Sequence, residues 1–245
     1  MHRFFTLPEN ITGEDVALRG PDVVHIRTVL RLRCGDRIHV LDGRGSRYTV
    51  RLTQVGKKEI TGKIESREAV LSESPIEIHM GQALIKGNKF DMILRKSVEL
   101  GIFSMAPVRT ERCVVKMLRT EAVKKIVRWE TIARSAARQS GRTVIPRVEP
   151  HILSVDSFCR EKEDIDLKLI FWEGEEKRRL NHLETPHPLR HIAFLTGPEG
   201  GFTEAEIHTA EKYGFLPLSL GPRILRAETA PIAVLALLQH RWGDL

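Results

Sequence analysis

From residue 76 onward the sequence repeats one order: a short apolar run, a turn, then apolar residues at helical spacing. Ile76, Ile78 and Met80 alternate with polar residues and lead into Ala83-Leu84-Ile85, which reads as a strand. Asn88 is placed to cap the next helix, and Asp91 falls in its first turn, where negative charge is favourable. Phe90, Ile93, Leu94 and Val98 form its apolar face and Gly101 its stop. A strand is expected over 103–108, then a helix capped by Thr120 that buries Val123, Ile126, Val127, Ala133 and Ala137. Strands over 167–172, 191–196 and 216–220 follow. Thr203 and Glu206 have capping-box spacing before a helix that Gly214 ends. Residues 231–240 are apolar nearly all round, so the last helix is expected to be deeply buried. Strands alternating with helices argue for an α/β fold on a largely parallel sheet.

The first seventy residues read differently. Segments 36–41 and 47–52 alternate on either side of Asp42-Gly43, which is a hairpin signal, and 60–64 offers another strand. Val23, Ile26, Val29 and Leu30 make a short helical stripe. Together these predict a small β-barrel with one helix, and the turn-rich segment Leu71–Pro75 reads as a linker.

The 245 residues suffice for two modest domains, and no apolar run nears the ~20 residues that span a bilayer. The reading is a cytoplasmic protein. Cys34, Cys113 and Cys159 lie far apart, which fits reduced, buried thiols. Of ten histidines only His182, His187 and His191 cluster, and Pro186 and Pro188 flank the middle one. A regular helix cannot align them, so no metal site is expected. Cations outnumber anions 39 to 32, a net charge of +7 that favours a polyanionic partner.

Two glycine-proline loops stand out: LTGPEGGFTEAE at 195–206 and LGPRILRAETA at 220–230. Each follows a predicted strand, and ligands of open parallel sheets sit beyond the strands' carboxyl ends. The loops are either turn punctuation or two walls of one pocket. Neither fits a phosphate-binding loop or a dinucleotide fingerprint, and Glu199 would repel a polyphosphate. Glycine there lets main-chain polar groups approach a flat heterocycle.

These paired motifs resemble those of the RsmE family, SPOUT-class methyltransferases that modify N3 of a uridine in 16S ribosomal RNA. The resemblance extends over the whole chain and includes MHRFF, VLRLRCGD (29–36), Asp42-Gly43, KSVELG (96–101) and ARQSGR (137–142). It implies a PUA-like β-barrel over 1–72 and, over 73–245, an α/β SPOUT domain with a C-terminal trefoil knot. It also implies a homodimer, S-adenosylmethionine (SAM) as cofactor, and 16S rRNA within the small ribosomal subunit as partner. Pattern reading alone would have excluded the knot.

By that resemblance Thr196, Gly197, Gly201, Leu220, Gly221, Ile224 and Leu225 line the cofactor site, with Thr229 and Ala230 close by. Glu173 is a further candidate that reads equally as a surface carboxylate. Uracil N3 carries a proton, so a base, or a cation near O2 and O4, must favour the uridinate. Arg226 is the first choice for the cation and Arg223 the reserve, while Glu228 is either the base or orients Arg226. N3 lies on the pairing edge, so the target must be unpaired or flipped out. Candidates for holding the RNA backbone are Arg3, Arg27, Arg31, Arg33, Lys86, Lys89, Arg95, Lys96, Arg134, Arg138 and Arg142. Two other readings stay open: a different SPOUT activity such as ribose 2′-O-methylation, and a non-catalytic RNA-binding factor in ribosome assembly.

Overall fold

The structure is a computed structural model that describes residues 1–245 apart from Leu71, Lys116 and Pro186. The start of the expected linker and one of the two prolines flanking His187 therefore lie outside the described residues. Two compact units are present: Met1–Glu73 with Ala137–Ile145, and Ser74–Ala136 with Pro146–Leu245.

The first unit is a six-stranded sheet built from β1 (Arg3–Phe5), β2 (Ile11–Thr12), β3 (Asp15–Arg19), β4 (Arg37–Leu41), β5 (Ser46–Val55) and β6 (Glu59–Ala69). Strand order is β1-β4-β5-β6-β3-β2, antiparallel except for β1 against β4. Alternation along β5 buries Tyr48, Val50 and Leu52, and two register shifts against β6 bend this long pair. Phe4, Leu18, Ile38, Val40, Val50 and Ile60 meet in one core, so the sheet wraps around its own apolar face. The expected helix is α1 (Pro21–Val24) continued by a π-helical turn, His25–Val29. Val23 and Ile26 are buried, but Val29 is exposed. Cys34 is exposed as well, contrary to the expectation of buried thiols.

The second unit holds β7 (Glu77–Ala83), β8 (Ser104–Arg109), β9 (Arg147–Val148), β10 (Leu153–Ser154), β11 (Leu167–Phe171), β12 (His191–Thr196) and β13 (Leu216–Leu218). Their order is β10-β8-β7-β12-β11-β13, with β9 also against β8, and every pairing is parallel. The middle of β12, residues 192–195, is an unbroken apolar run because both faces are covered there. One face packs Phe158, Leu195, Phe202, Ile207 and Phe215 with α4 (Val155–Glu161) and α5 (Glu204–Lys212). The unit also contains α2 (Lys89–Glu99), most of α3 (Arg119–Ser140) and α6 (Ala230–Trp242).

Gln239 of α6 is fully buried. It donates to Leu100 O (3.0 Å) and accepts from Ser74 Oγ (2.8 Å). Gly101, at φ +82°, leaves room for that amide: a Cβ there would lie 2.5 Å from Gln239 Nε2. Hence this glycine both ends α2 and admits the α6 side chain.

Several local expectations fail for tertiary reasons. Asn88 occupies the N-cap position of α2 without a side-chain capping bond. Asp91 is buried and accepts from Trp129 Nε1 and Arg128 Nε, both at 2.9 Å, so it ties α2 to α3 rather than serving the helix terminus alone. α3 begins before Thr120, and Glu121 accepts from the Leu118 N–H at its start. Val123 and Val127 are exposed; Trp129 and Ala136 join Ile126, Ala133 and Ala137 in the buried set. α6 is buried on one side only, with Leu237 46% exposed. No helix among the described residues is long and apolar enough to cross a membrane.

Candidate active site

The loops after β12 and β13 open into one cavity of about 770 Å³ at the carboxyl ends of these strands. β11 lies between the two strands, and its continuation, Trp172 and Glu173, forms the third wall. The location is the one expected for a ligand of a parallel sheet, and the volume suits a nucleoside-sized molecule.

The first loop is fastened from several directions. Pro198 O accepts from Gly201 N (3.0 Å), closing a tight turn. Thr203 and Glu206 form the full capping box of α5. The second oxygen of Glu206 accepts from Glu111 N (2.8 Å). Arg112 donates to Gly200 O (3.1 Å), and Glu199 accepts from Lys86 N (3.1 Å). Beneath the loop, the Thr196 hydroxyl donates to Gln82 Oε1 (2.7 Å) in a fully buried pair. Gly201 sits at φ +67°, and a Cβ on it would lie 1.8 Å from Glu173 Oε1. That carboxylate packs against the main chain where any other residue would displace it.

The second loop has fewer internal ties. Gly221, at φ +105°, donates its N–H to Ser219 Oγ (3.3 Å). Arg226 O accepts from Thr229 N (2.8 Å) and Ala230 N (3.0 Å), turning the chain into α6. Between these points Arg223 and Arg226 are exposed, and Ile224 is 89% exposed. Glu228 accepts from Lys89 Nζ at 3.0 Å. This hydrogen bond holds the Glu228 carboxyl below the usual glutamate range.

Of the residues expected at the cofactor, Thr196, Gly197, Gly201, Leu220, Gly221, Ile224, Leu225, Ala230 and Glu173 all line the cavity; Thr229 does not. Arg223, Arg226 and Glu228 line it too. Lys89, read as an RNA contact, instead stands in the cavity wall with Glu228. Gln82, Arg112 and Trp172 escaped sequence reading. Only Gln82 left a trace, a polar residue where the alternation of Ile76, Ile78 and Met80 calls for an apolar one.

The basic candidates divide. Arg142 is a correction: it is 5% exposed and donates Nε to Glu73 (2.9 Å), so its charge is spent inside the first unit. Arg138 is half-buried, pairs with Asp22 (3.1 Å) and lies over the Phe4 ring. Lys96 pairs with Glu99. Arg31, Arg33, Lys86, Arg95 and Arg134 are exposed, whereas Arg3 and Arg27 are half-buried. Phe4 and Phe5 are core residues.

The donor set suits a flat, uncharged or cationic ligand. The first loop carries no lysine, five carboxylates (Glu173, Glu175, Glu176, Glu199 and Glu228) belong to the wall, and the glycines expose main-chain groups. A parallel-sheet ligand site of this kind, in a chain that also carries a wrapped β-unit, defines the class as a two-unit α/β enzyme.

Known proteins identify it further. A model described as RNA methyltransferase domain matches residues 72–239, and one described as RNA methyltransferase PUA domain matches 18–65. Ribosomal RNA small subunit methyltransferase E of Buchnera aphidicola (from Acyrthosiphon pisum) is 34% identical over 222 residues, 90% of this chain and 85% of that protein. The Bacillus subtilis protein of the same name is 31% identical over 92% of this chain and 90% of its own. Among solved structures, the Neisseria gonorrhoeae enzyme of that name, bound to S-adenosyl methionine, superposes with a TM-score of 0.86. It is 38% identical and covers 100% of this chain and 99% of its own. Lpg2936 of Legionella pneumophila, solved with the cofactor SAM, gives a TM-score of 0.90 at 37% identity, covering 99% of this chain and 98% of its own. The chain belongs to the RNA methyltransferase family, in its ribosomal RNA small subunit methyltransferase E branch.

Proposed function

We propose that this protein transfers the methyl group of SAM to N3 of a uridine in the 16S rRNA of the small ribosomal subunit. The observation that carries the proposal is the single cavity shared by the loops beginning at Gly197 and Gly221. SAM-bound relatives with the same fold over nearly the full chain support the choice of cofactor.

The residues present fit such a group. Gly197 and Gly201 keep the first wall free of side chains, and Gly221 has nothing within 4 Å of a would-be Cβ. When bound, SAM supplies an electrophilic methyl on a sulfonium whose departure leaves a neutral thioether. The first loop and Leu220 to Leu225 hold and orient the ligand, largely through the main chain. Positioning is then the main source of acceleration. Arg226, exposed at the cavity, favours the uridinate left when the N3 proton passes to solvent water, by facing its charge, with Arg223 in reserve. Glu228 orients Lys89 at the wall; its lowered pKa makes it a poor proton acceptor while that pair lasts. Arg31 and Arg33 on the first unit, and Lys86, Arg95 and Arg134 on the second, serve the RNA backbone.

The division at 72/73, a trefoil knot formed by the loops and α6, and a homodimer belong to the same reading, as does a cytoplasmic location. Leu237, an exposed apolar residue of α6, supports self-association.

The test is transfer of labelled methyl from SAM to small subunits lacking the modification, followed by nucleoside analysis. 3-Methyluridine is expected. A 2′-O-methylated nucleoside would replace this reading with the ribose activity, and salt-sensitive RNA binding without transfer would replace it with the assembly factor. Gly197→Val is expected to lose SAM binding, because even a Cβ lies 3.3 Å from the Phe202 ring. Normal binding by that variant sinks the cavity assignment.

A further inference from the structure

The opposite end of the same sheet carries a cluster with no part in the cavity. Glu77 and His191 are register partners on the neighbouring parallel strands β7 and β12. His79 is two residues along β7, so all three side chains project from one face. Glu77 Oε2 lies 3.3 Å from His191 Nδ1 and 3.9 Å from His79 Nε2, and one ligand atom from each residue falls within 4.8 Å of the others. Thus two imidazole nitrogens converge on one carboxylate oxygen, and the longer separation is beyond a hydrogen bond.

Geometry and surroundings match a metal centre. Ligand atoms about 2.0–2.2 Å from a tetrahedral zinc ion stand roughly 3.3–3.5 Å from each other. The Glu77–His191 separation already meets that, and the others, 3.9 Å and no more than 4.8 Å, must shorten on binding. His79 is buried, and its other nitrogen, Nδ1, lies 2.7 Å from Ser104 Oγ, the outer hydrogen bond that fixes a ligating imidazole's tautomer. The start of β12 is also fixed, since Asp166 accepts from Arg190 N (2.9 Å) and His191 N (2.8 Å). Glu77 and His191 are each a little over 40% exposed, which leaves an entry path and an open fourth position for water. Lys162 and Arg147 act electrostatically on His79. Two imidazole nitrogens with one carboxylate favour zinc over magnesium or calcium, which take oxygen donors.

We propose that Glu77, His79 and His191 form a zinc-binding site that clamps β7 to β12 at the amino end of the parallel sheet, with Ser104 of β8 behind it. The site is independent of methyl transfer: β12 runs from His191 to Thr196, so the cluster and the cavity stand about 16 Å apart along the strand.

Tag-free, chelator-treated full-length protein is titrated with zinc chloride in a calorimeter, with magnesium chloride as comparison. One equivalent of zinc is expected to bind, at roughly micromolar Kd for three protein ligands, and to raise Tm by a few degrees at saturating zinc. His191→Ala and Glu77→Gln, both at half-exposed positions, are each expected to weaken binding at least ~10-fold. His208→Ala, which removes the exposed His208–Glu211 pair on α5, is expected to leave it unchanged. Absence of a saturable one-equivalent event, retention of wild-type affinity in both His191→Ala and Glu77→Gln, or loss of zinc binding in His208→Ala would each overturn the proposal. SAM affinity is followed in parallel and is expected not to change with zinc.

Discussion

The two walls of the cavity are built in opposite ways. The loop after β12 is held by a capping box, by Arg112 and the Lys86 main chain, and by the buried Thr196–Gln82 pair below it. The loop after β13 is tied at its ends, by Ser219 N to Arg178 O (2.9 Å), the Ser219 hydroxyl, a turn into α6 and the Lys89–Glu228 pair, and between them it presents Arg223, Ile224 and Arg226 to solvent. One wall is therefore shaped by the protein's own bonds before any ligand arrives. The other keeps its polar and apolar side chains available for what enters. Preorganised donors favour a fixed cofactor, while exposed side chains suit a large second substrate that must come and go.

The largest test of this contrast is Gly201→Val. Its Cβ would coincide with the Glu173 carboxylate, and φ +67° disfavours a branched residue. SAM affinity is expected to fall on the order of 100-fold by calorimetry, equivalent to about 3 kcal/mol. A fall below threefold would show the first wall to be pliable. Arg226→Ala, on the open wall, is expected to lower the single-turnover methyl-transfer rate by ~10²-fold with SAM affinity nearly intact. Equal losses in both would place Arg226 with the cofactor instead. Arg112→Ala removes one brace outside the cavity and is expected to weaken SAM binding about fivefold, for one hydrogen bond to a carbonyl. If affinity is unchanged, the remaining braces suffice.

The smallest effect concerns Lys89–Glu228, which joins α2 to the end of the open wall. The Glu228 carboxyl has a lowered folded-state pKa, caused first by the Lys89 hydrogen bond. Its contribution to stability is thus fully present above the unfolded value of 4.5 and is lost as pH falls through the lower folded value. Glu228→Gln is expected to cost below about 1 kcal/mol at pH 7, given solvent screening, and the difference from wild type should fade as pH falls below 4.5. Thermal unfolding across that range measures it. A difference that grows on acidification would reverse the assignment.

The two loops also differ in how they could be read. Thr203 and Glu206 announce a helix start by type and spacing, and the glycine-proline steps announce turns. Motif resemblance brought Gly197, Gly201 and Gly221 to one ligand. Nothing local marked Arg112, which reaches Gly200 from 88 positions away, or separated Lys89 of the wall from the surface lysines. Arg142 follows the same logic in reverse. It follows Arg134 and Arg138 at regular spacing and looks like a phosphate contact, yet Glu73 neutralises it in the interior. Charge reads from sequence, but the partner that neutralises it does not.

By itself the sequence determined the alternation of strands and helices, the strands of the first unit, the helix ends at Gly101, Thr203 and Gly214, and the glycine-proline turns of the two loops. These follow from side-chain period, backbone φ preference and capping, all of which act within a few residues. The tertiary structure alone decided the buried Thr196–Gln82 pair, the Asp91–Trp129 bond, the one-sided burial of α6, and the meeting of Glu77, His79 and His191. Each depends on which distant segments the sheet order makes neighbours; Thr196 and Gln82 are 114 residues apart. No short-range pattern encodes that choice, because it is made by the free energy of burying whole faces at once.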